Sequence, residues 1–157
     1  MHLVRAPFGR ALVLAVLVAG ASWLGRPAED EPEPHRVVVT ETETTILDVI
    51  EFAPGTATIL ARSTPTLDAV AATLQGNPSL ELVEVQAHTR GTGDETANLA
   101  LSQRRADAVV AYLVRTGGVD PRRLDAQGYG DTQPIDRAAP SKNERICFLI
   151  VKRDSSP

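Results

Sequence analysis

The sequence predicts an α+β domain, a β-α-β-α-β-β chain whose two helices pack on a mixed sheet. Two observations predict it. Apolar residues recur at helical spacing in two segments, Leu67, Val70, Ala71 and Leu74, and then Ala106, Val109, Val110 and Leu113. Between and around them stand short runs rich in β-branched residues, each closed by Gly, Pro or Asn.

In chain order, Val37 to Phe52 favours a strand, with Ile46, Val49, Ile50 and Phe52 as its better-buried part. Ala53-Pro54-Gly55 breaks it. Thr64 is placed to cap a helix with Pro65 at the first helical position, and Gly76-Asn77-Pro78 stops that helix. Leu80 to Ala87 is the second strand, with Val83, Val85 and Ala87 on one side. A Gly-rich loop spans 88–95. The second helix starts near Asp94 or Thr96 and runs to Arg115, with Leu99, Ala106, Val109, Val110 and Leu113 as its core face. Thr116-Gly117-Gly118 ends it. Leu124 to Gly128 is a short third strand. Arg145 to Lys152 is the fourth, apolar enough to be central or well covered. The last three or four residues read as a loose tail.

The chain has 157 residues, about one domain's worth, with 23% charged and only 4% aromatic residues. Its core must therefore rest on Val, Leu, Ile and Ala. A net charge of −4 argues against a nucleic-acid partner. Cys147 is the lone cysteine, which excludes an intrachain disulfide and Cys-rich zinc sites. As part of an apolar strand it is expected to pack as a small hydrophobe. No metal site or cofactor is expected: His88 has no second ligand at standard spacing and reads as a packed, hydrogen-bonded histidine. No activated nucleophile and no opposed carboxylate pair stands out, so an enzyme is not expected.

Residues 1–26 differ from the rest. Arg5 and Arg10 precede an uncharged, Leu-, Val- and Ala-rich run from Ala11 to Gly25, and Ala19-Gly20-Ala21 is a small-x-small pattern. This is the order of a secretory signal peptide; an N-terminal membrane anchor is the alternative, and both export the remainder of the chain. Residues 27–36, acidic and Pro-rich, are expected to be an extended linker, with the folded domain over 37–157.

The segment that carries function begins at His88-Thr89-Arg90-Gly91-Thr92-Gly93 and continues to Asn98, Leu101-Ser102 and Arg105-Ala106. Gly128-Tyr129-Gly130, Gln133-Pro134-Ile135 and Asn143-Glu144-Arg145-Ile146 come after it. In this order the pieces resemble the OmpA/MotB/Pal family of peptidoglycan-binding domains over about residues 44–152. The family pattern is roughly G-H-T-D-x-x-G, then N-x-x-L-S-x-x-R-A, G-x-G-x-x-x-P and N-R-R-V. The resemblance implies an OmpA C-terminal-like fold and a non-catalytic module in the periplasm of a Gram-negative-type envelope. It implies binding to the diaminopimelate of the peptidoglycan stem peptide, with envelope proteins as further partners and membrane association through the N-terminal segment if that is kept. A degenerate domain that contacts a protein partner instead is the alternative.

Diaminopimelate presents an ammonium and a carboxylate on one short side chain. A loop carboxylate suits the first, and a fixed guanidinium suits the second by bidentate hydrogen bonding. Arg105 matches the family arginine; four residues from Leu101 and Val109 and seven from Asn98, it belongs at the border of the apolar helix face. Asn98, Thr89 and Arg145 are the further binding candidates on the family match. The sequence departs from the pattern at two charges. Arg90 stands where the family has aspartate, and Glu144 where it has arginine. A cation at position 90 repels an ammonium, so binding of this ligand is expected to be weaker than the resemblance implies unless Asp94 or Glu95, along the same loop, replaces the missing acid.

Overall fold

The computed structural model describes residues 37–39 and 43–46, as strand backbone, and residues 49–91 and 93–154. The expected signal or anchor segment 1–26 and linker 27–36 lie outside the described residues. Seven elements succeed one another: β1 (Val37–Val39), β2 (Glu43–Ile46), α1 (Thr64–Gly76), β3 (Leu80–His88), α2 (Glu95–Arg115), β4 (Leu124–Gly130) and β5 (Arg145–Arg153). They build an α+β domain with a five-stranded mixed sheet ordered β1-β2-β5-β3-β4. Among the described residues only β3 and β4 run parallel, which the intervening helix α2 permits; the other neighbours are antiparallel.

The first strand expected over Val37 to Phe52 is two strands. β1 and β2 pair antiparallel, Val37 against Ile46 and Val39 against Thr44, so the chain reverses between them. Phe52 then makes an isolated antiparallel bridge with Ile59 across the Pro54-Gly55 turn. β-propensity ran on through this stretch and did not mark the reversal.

Both helices lie on one face of the sheet. In α1, Leu67, Val70, Ala71 and Leu74 are buried; in α2, Ala106, Val109 and Leu113 are buried. They meet Val83 and Val85 of β3 and Phe148 of β5, all fully buried. The register sets Val85 opposite Phe148 and Val83 opposite Ile150, so both strands send the same set to the helices. β5 is central, as expected, but is covered by helices on one face only. On its other face Cys147 is half-buried and Val151 is exposed.

The α1 start differs by one residue from expectation. Ser63 is the cap position, and its hydroxyl accepts from the Glu51 amide at 2.8 Å rather than capping the helix. Arg123 ties the far end of α1 to the sheet, donating from Nη2 to the carbonyls of Leu74 (2.7 Å), Asn77 (2.9 Å) and Leu80 (3.0 Å).

The buried stripe of α2 is Asn98, Ser102, Arg105, Ala106, Val109 and Leu113. Leu99, expected in the core, is 47% exposed. The polar start of the stripe has a cause in β4, whose glycines let α2 lie on the strand backbone. A Cβ on Gly128 would fall 2.6 Å from Gln103 Cα and 2.7 Å from Ser102 Oγ. The close approach lets α2 side chains bond the strand directly. Gly130 N donates to Ser102 Oγ (2.8 Å) and Gly128 N to Gln103 Oε1 (2.9 Å), while Gln103 Nε2 donates to the Ala126 carbonyl (3.0 Å). The amide of Gln103 thus satisfies β4 backbone groups on an edge strand.

Candidate functional site

The C-terminal end of β3, the buried stripe of α2 and the start of β5 converge beside the Glu51–Phe52 segment. They enclose a pocket of about 330 Å³ whose wall includes Phe52, His88, Arg90, Arg105, Glu144 and Arg145. Of the residues expected to bind ligand, Arg105 and Arg145 are brought together here, beside the substituted position Arg90; Asn98, Thr89 and Asp94 are not in the wall.

Arg105 is held from three sides. Its Nε donates to the Thr56 carbonyl (3.0 Å), its Nη1 to Glu144 Oε1 (2.7 Å), and its guanidinium carbon stands 4.9 Å from the centre of the Phe52 ring. The side chain is only 4% exposed, so helical spacing placed it at the border but the loop over it buries it. A buried guanidinium needs a counter-charge, and Glu144 supplies it.

Glu144 is bonded twice. Its second oxygen, Oε2, accepts from Arg90 Nε at 2.5 Å. One carboxylate therefore sits between a buried arginine and an arginine that is 56% exposed. Burial by itself raises the Glu144 carboxyl, but the hydrogen bonds and positive charges of Arg90 and Arg105 outweigh it and hold the group below its ordinary value. The two charges that depart from the resemblance, Arg90 and Glu144, thus pair with each other in space. The acid that answers Arg90 is Glu144, a residue 54 positions away in sequence, and not Asp94 or Glu95.

Asp94 is engaged elsewhere. It is the N-cap of α2, accepting from Ala97 N at 2.8 Å. Thr89 and Asn98 are buried, with the Thr89 amide donating to the Gly130 carbonyl at 2.8 Å. Asn98 lies where α2 crosses Gly130, whose added Cβ would fall 3.1 Å from Leu99 N. Arg145 donates to the carbonyls of Asn143 and Gln133, bracing the 131–143 loop against β5. Asn143 pins the same loop: Oδ1 accepts from the amides of Ile135 (2.9 Å) and Asp136 (3.0 Å), and Nδ2 donates to the Asp136 carbonyl (2.8 Å).

His88 is packed as expected, 2% exposed and stacked on Tyr129 with ring centroids 5.3 Å apart. It is not hydrogen-bonded: among the described residues neither ring nitrogen meets a partner, and the Thr89 hydroxyl is alike. Burial, and after it the charge of Arg145, push the imidazole down to about 4, so it is neutral at pH 7. The residues that sequence reasoning missed are Glu144, Phe52 and Thr56. Only Glu144 left a signal, its charge opposite to that of the family pattern.

The pattern of the OmpA family matches residues 51–146. Among curated proteins, the peptidoglycan-associated lipoprotein of Haemophilus influenzae is 43% identical over 83 residues, which are 50% of this chain and 53% of that protein. The probable lipoprotein YiaD of Escherichia coli is 38% identical over 86 residues, 55% of this chain and 38% of that one. The chain thus spans about half or less of the length of these relatives. Among solved structures, the peptidoglycan-associated lipoprotein of Burkholderia pseudomallei superposes with a TM-score of 0.54 at 25% identity, covering 65% of this chain and 86% of that one. The periplasmic domain of Helicobacter pylori MotB gives 0.64 at 19% identity, covering 77% and 83%, a likeness of fold alone.

Proposed function

The chain belongs to the OmpA family, and from that premise we propose that it is a non-catalytic module of the cell envelope that binds peptidoglycan in the periplasm. The pocket at the β3–α2–β5 junction receives the diaminopimelate of the stem peptide. The observation that carries this reading is the wall itself, where Arg90, Arg105 and Arg145 stand against Glu51 and Glu144 around a space of about 330 Å³. Glu51 is paired with Arg62 on its outer side, which leaves the pocket with a cationic balance suited to a peptide carboxylate. The relatives named for peptidoglycan association support peptidoglycan as the partner.

Retention on purified peptidoglycan sacculi tests it. Because Arg105 is buried and bonded, its replacement by alanine risks the fold, so Arg105→Lys is the informative variant: it keeps the charge and loses the fork. Wild type should be retained and Arg105→Lys at least about tenfold less, a loss of about 1.4 kcal/mol, with unchanged circular dichroism. A folded wild type that passes through sacculi unretained overturns the reading and points to a protein partner.

A further inference from the structure

We propose that Arg90 is a ligand-contacting residue that sets specificity, and that it makes this pocket read a ligand carboxylate rather than a ligand ammonium. The inference rests on the peptidoglycan reading above and adds which end of the zwitterion is recognised.

The three charged groups at the pocket mouth differ in how much of each is already used. Arg105 is 4% exposed and commits Nε to Thr56 and Nη1 to Glu144, so it offers a ligand only an edge. Glu144 is 27% exposed, with each oxygen accepting from a different guanidinium. Arg90 is 56% exposed and, among the described residues, uses only Nε. Both of its terminal nitrogens remain for a ligand, and together they match the two oxygens of a carboxylate.

The alternative reader, a carboxylate for the ammonium, is compromised by the same contacts. An ammonium that approaches Glu144 also approaches the two guanidiniums bonded to it, and their repulsion opposes the single attraction. Arg145, in the same wall, adds a third cation. Asp94 is absent from the wall and occupied as a helix cap. A ligand carboxylate meets the opposite balance: the two acids of the wall, Glu51 and Glu144, are each already paired with arginine, and the half-exposed Arg90 can donate to it.

The test is titration calorimetry of the whole chain with a soluble stem tripeptide ending in diaminopimelate, in three forms. One is unmodified, one has the side-chain carboxyl amidated, and one has the side-chain amine acetylated. For wild type, amidation should weaken binding by about tenfold or more, while acetylation should change it by less than about threefold. Arg90→Gln, exposed and therefore tolerated by the fold, should remove most of the amidation penalty. Arg90→Asp combined with Glu144→Arg should make binding depend on the free amine. An acetylation penalty in wild type as large as the amidation penalty overturns the proposal. So does an amidation penalty that persists in Arg90→Gln, or a wild type that is retained by sacculi yet binds none of the three peptides. Failure of wild type on sacculi removes the peptidoglycan reading itself, and this proposal falls with it.

Discussion

Glu144 bonds a buried arginine with one oxygen and an exposed one with the other, and the two legs should differ in worth. Glu144→Ala leaves the Arg105 guanidinium, 4% exposed, with only the Thr56 carbonyl and the Phe52 ring. Breaking a fully buried pair costs about 3–5 kcal/mol and losing one charged hydrogen bond about 1.5–3. Water can enter at Glu144, which is itself 27% exposed, so we expect about 2–3 kcal/mol. Arg90→Ala removes the other leg at the surface and should cost less than about 1 kcal/mol. Urea unfolding followed by far-ultraviolet circular dichroism measures both; in melting temperature the first should be a fall of roughly 10–20 °C and the second a few degrees. The pH dependence gives a second arm. The Glu144 carboxyl is lowered in the folded state from an ordinary value of about 4.5. Its contribution is therefore present above that value and disappears as pH falls through the lower folded value. The gap between wild type and Glu144→Ala should narrow as pH falls below about 4.5 and close once the folded-state carboxyl is protonated. A Glu144→Ala that costs no more than Arg90→Ala would refute the claim that Glu144 is the counter-charge of a buried arginine.

His88 takes up its proton at lower pH than a surface histidine, because burial opposes the charged form. Its pKa falls from 6.5 in the unfolded chain to about 4 in the fold, so stability is full above about pH 6.5 and is lost toward pH 4. At pH 5 the loss should be about 2 kcal/mol, visible as a fall in urea midpoint that His88→Phe, which keeps a ring against Tyr129, does not share. Gly128→Ala should push α2 off β4, since the new Cβ would lie 2.6 Å from Gln103 Cα; we expect a cost of about 2–3 kcal/mol by the same unfolding assay. Gly76→Ala, where nothing lies within 4 Å, should be neutral or stabilise by less than about 1 kcal/mol. Equal effects at the two glycines would contradict the close-approach account.

The sequence by itself determined the order and faces of most elements. Period and punctuation are local properties, so Leu67, Val70 and Leu74, or Val83, Val85 and Ala87, could be assigned to one buried side from spacing alone, and they are buried together. The motif residues were equally legible as a set, and the match over residues 51–146 places them in one family. What the sequence could not determine was which of them face the same space. The reversal between β1 and β2 lay within an unbroken β-favouring stretch. Leu99 has the right spacing for a core residue, but α2 rests on Gly128 and Gly130 at that end, and what a helix buries against bare backbone is Asn98 and Ser102, not leucine. The charge at position 90 read as a lone cation because its partner stands 54 residues later, and Asp94 read as that partner because it is near in the chain. Tertiary structure decided otherwise, bringing the antiparallel β3 and β5 together with His88 opposite Arg145, so that the loop leaving one strand meets the residue entering the other. Ion pairing depends on distance in space, and only the sheet register sets that distance.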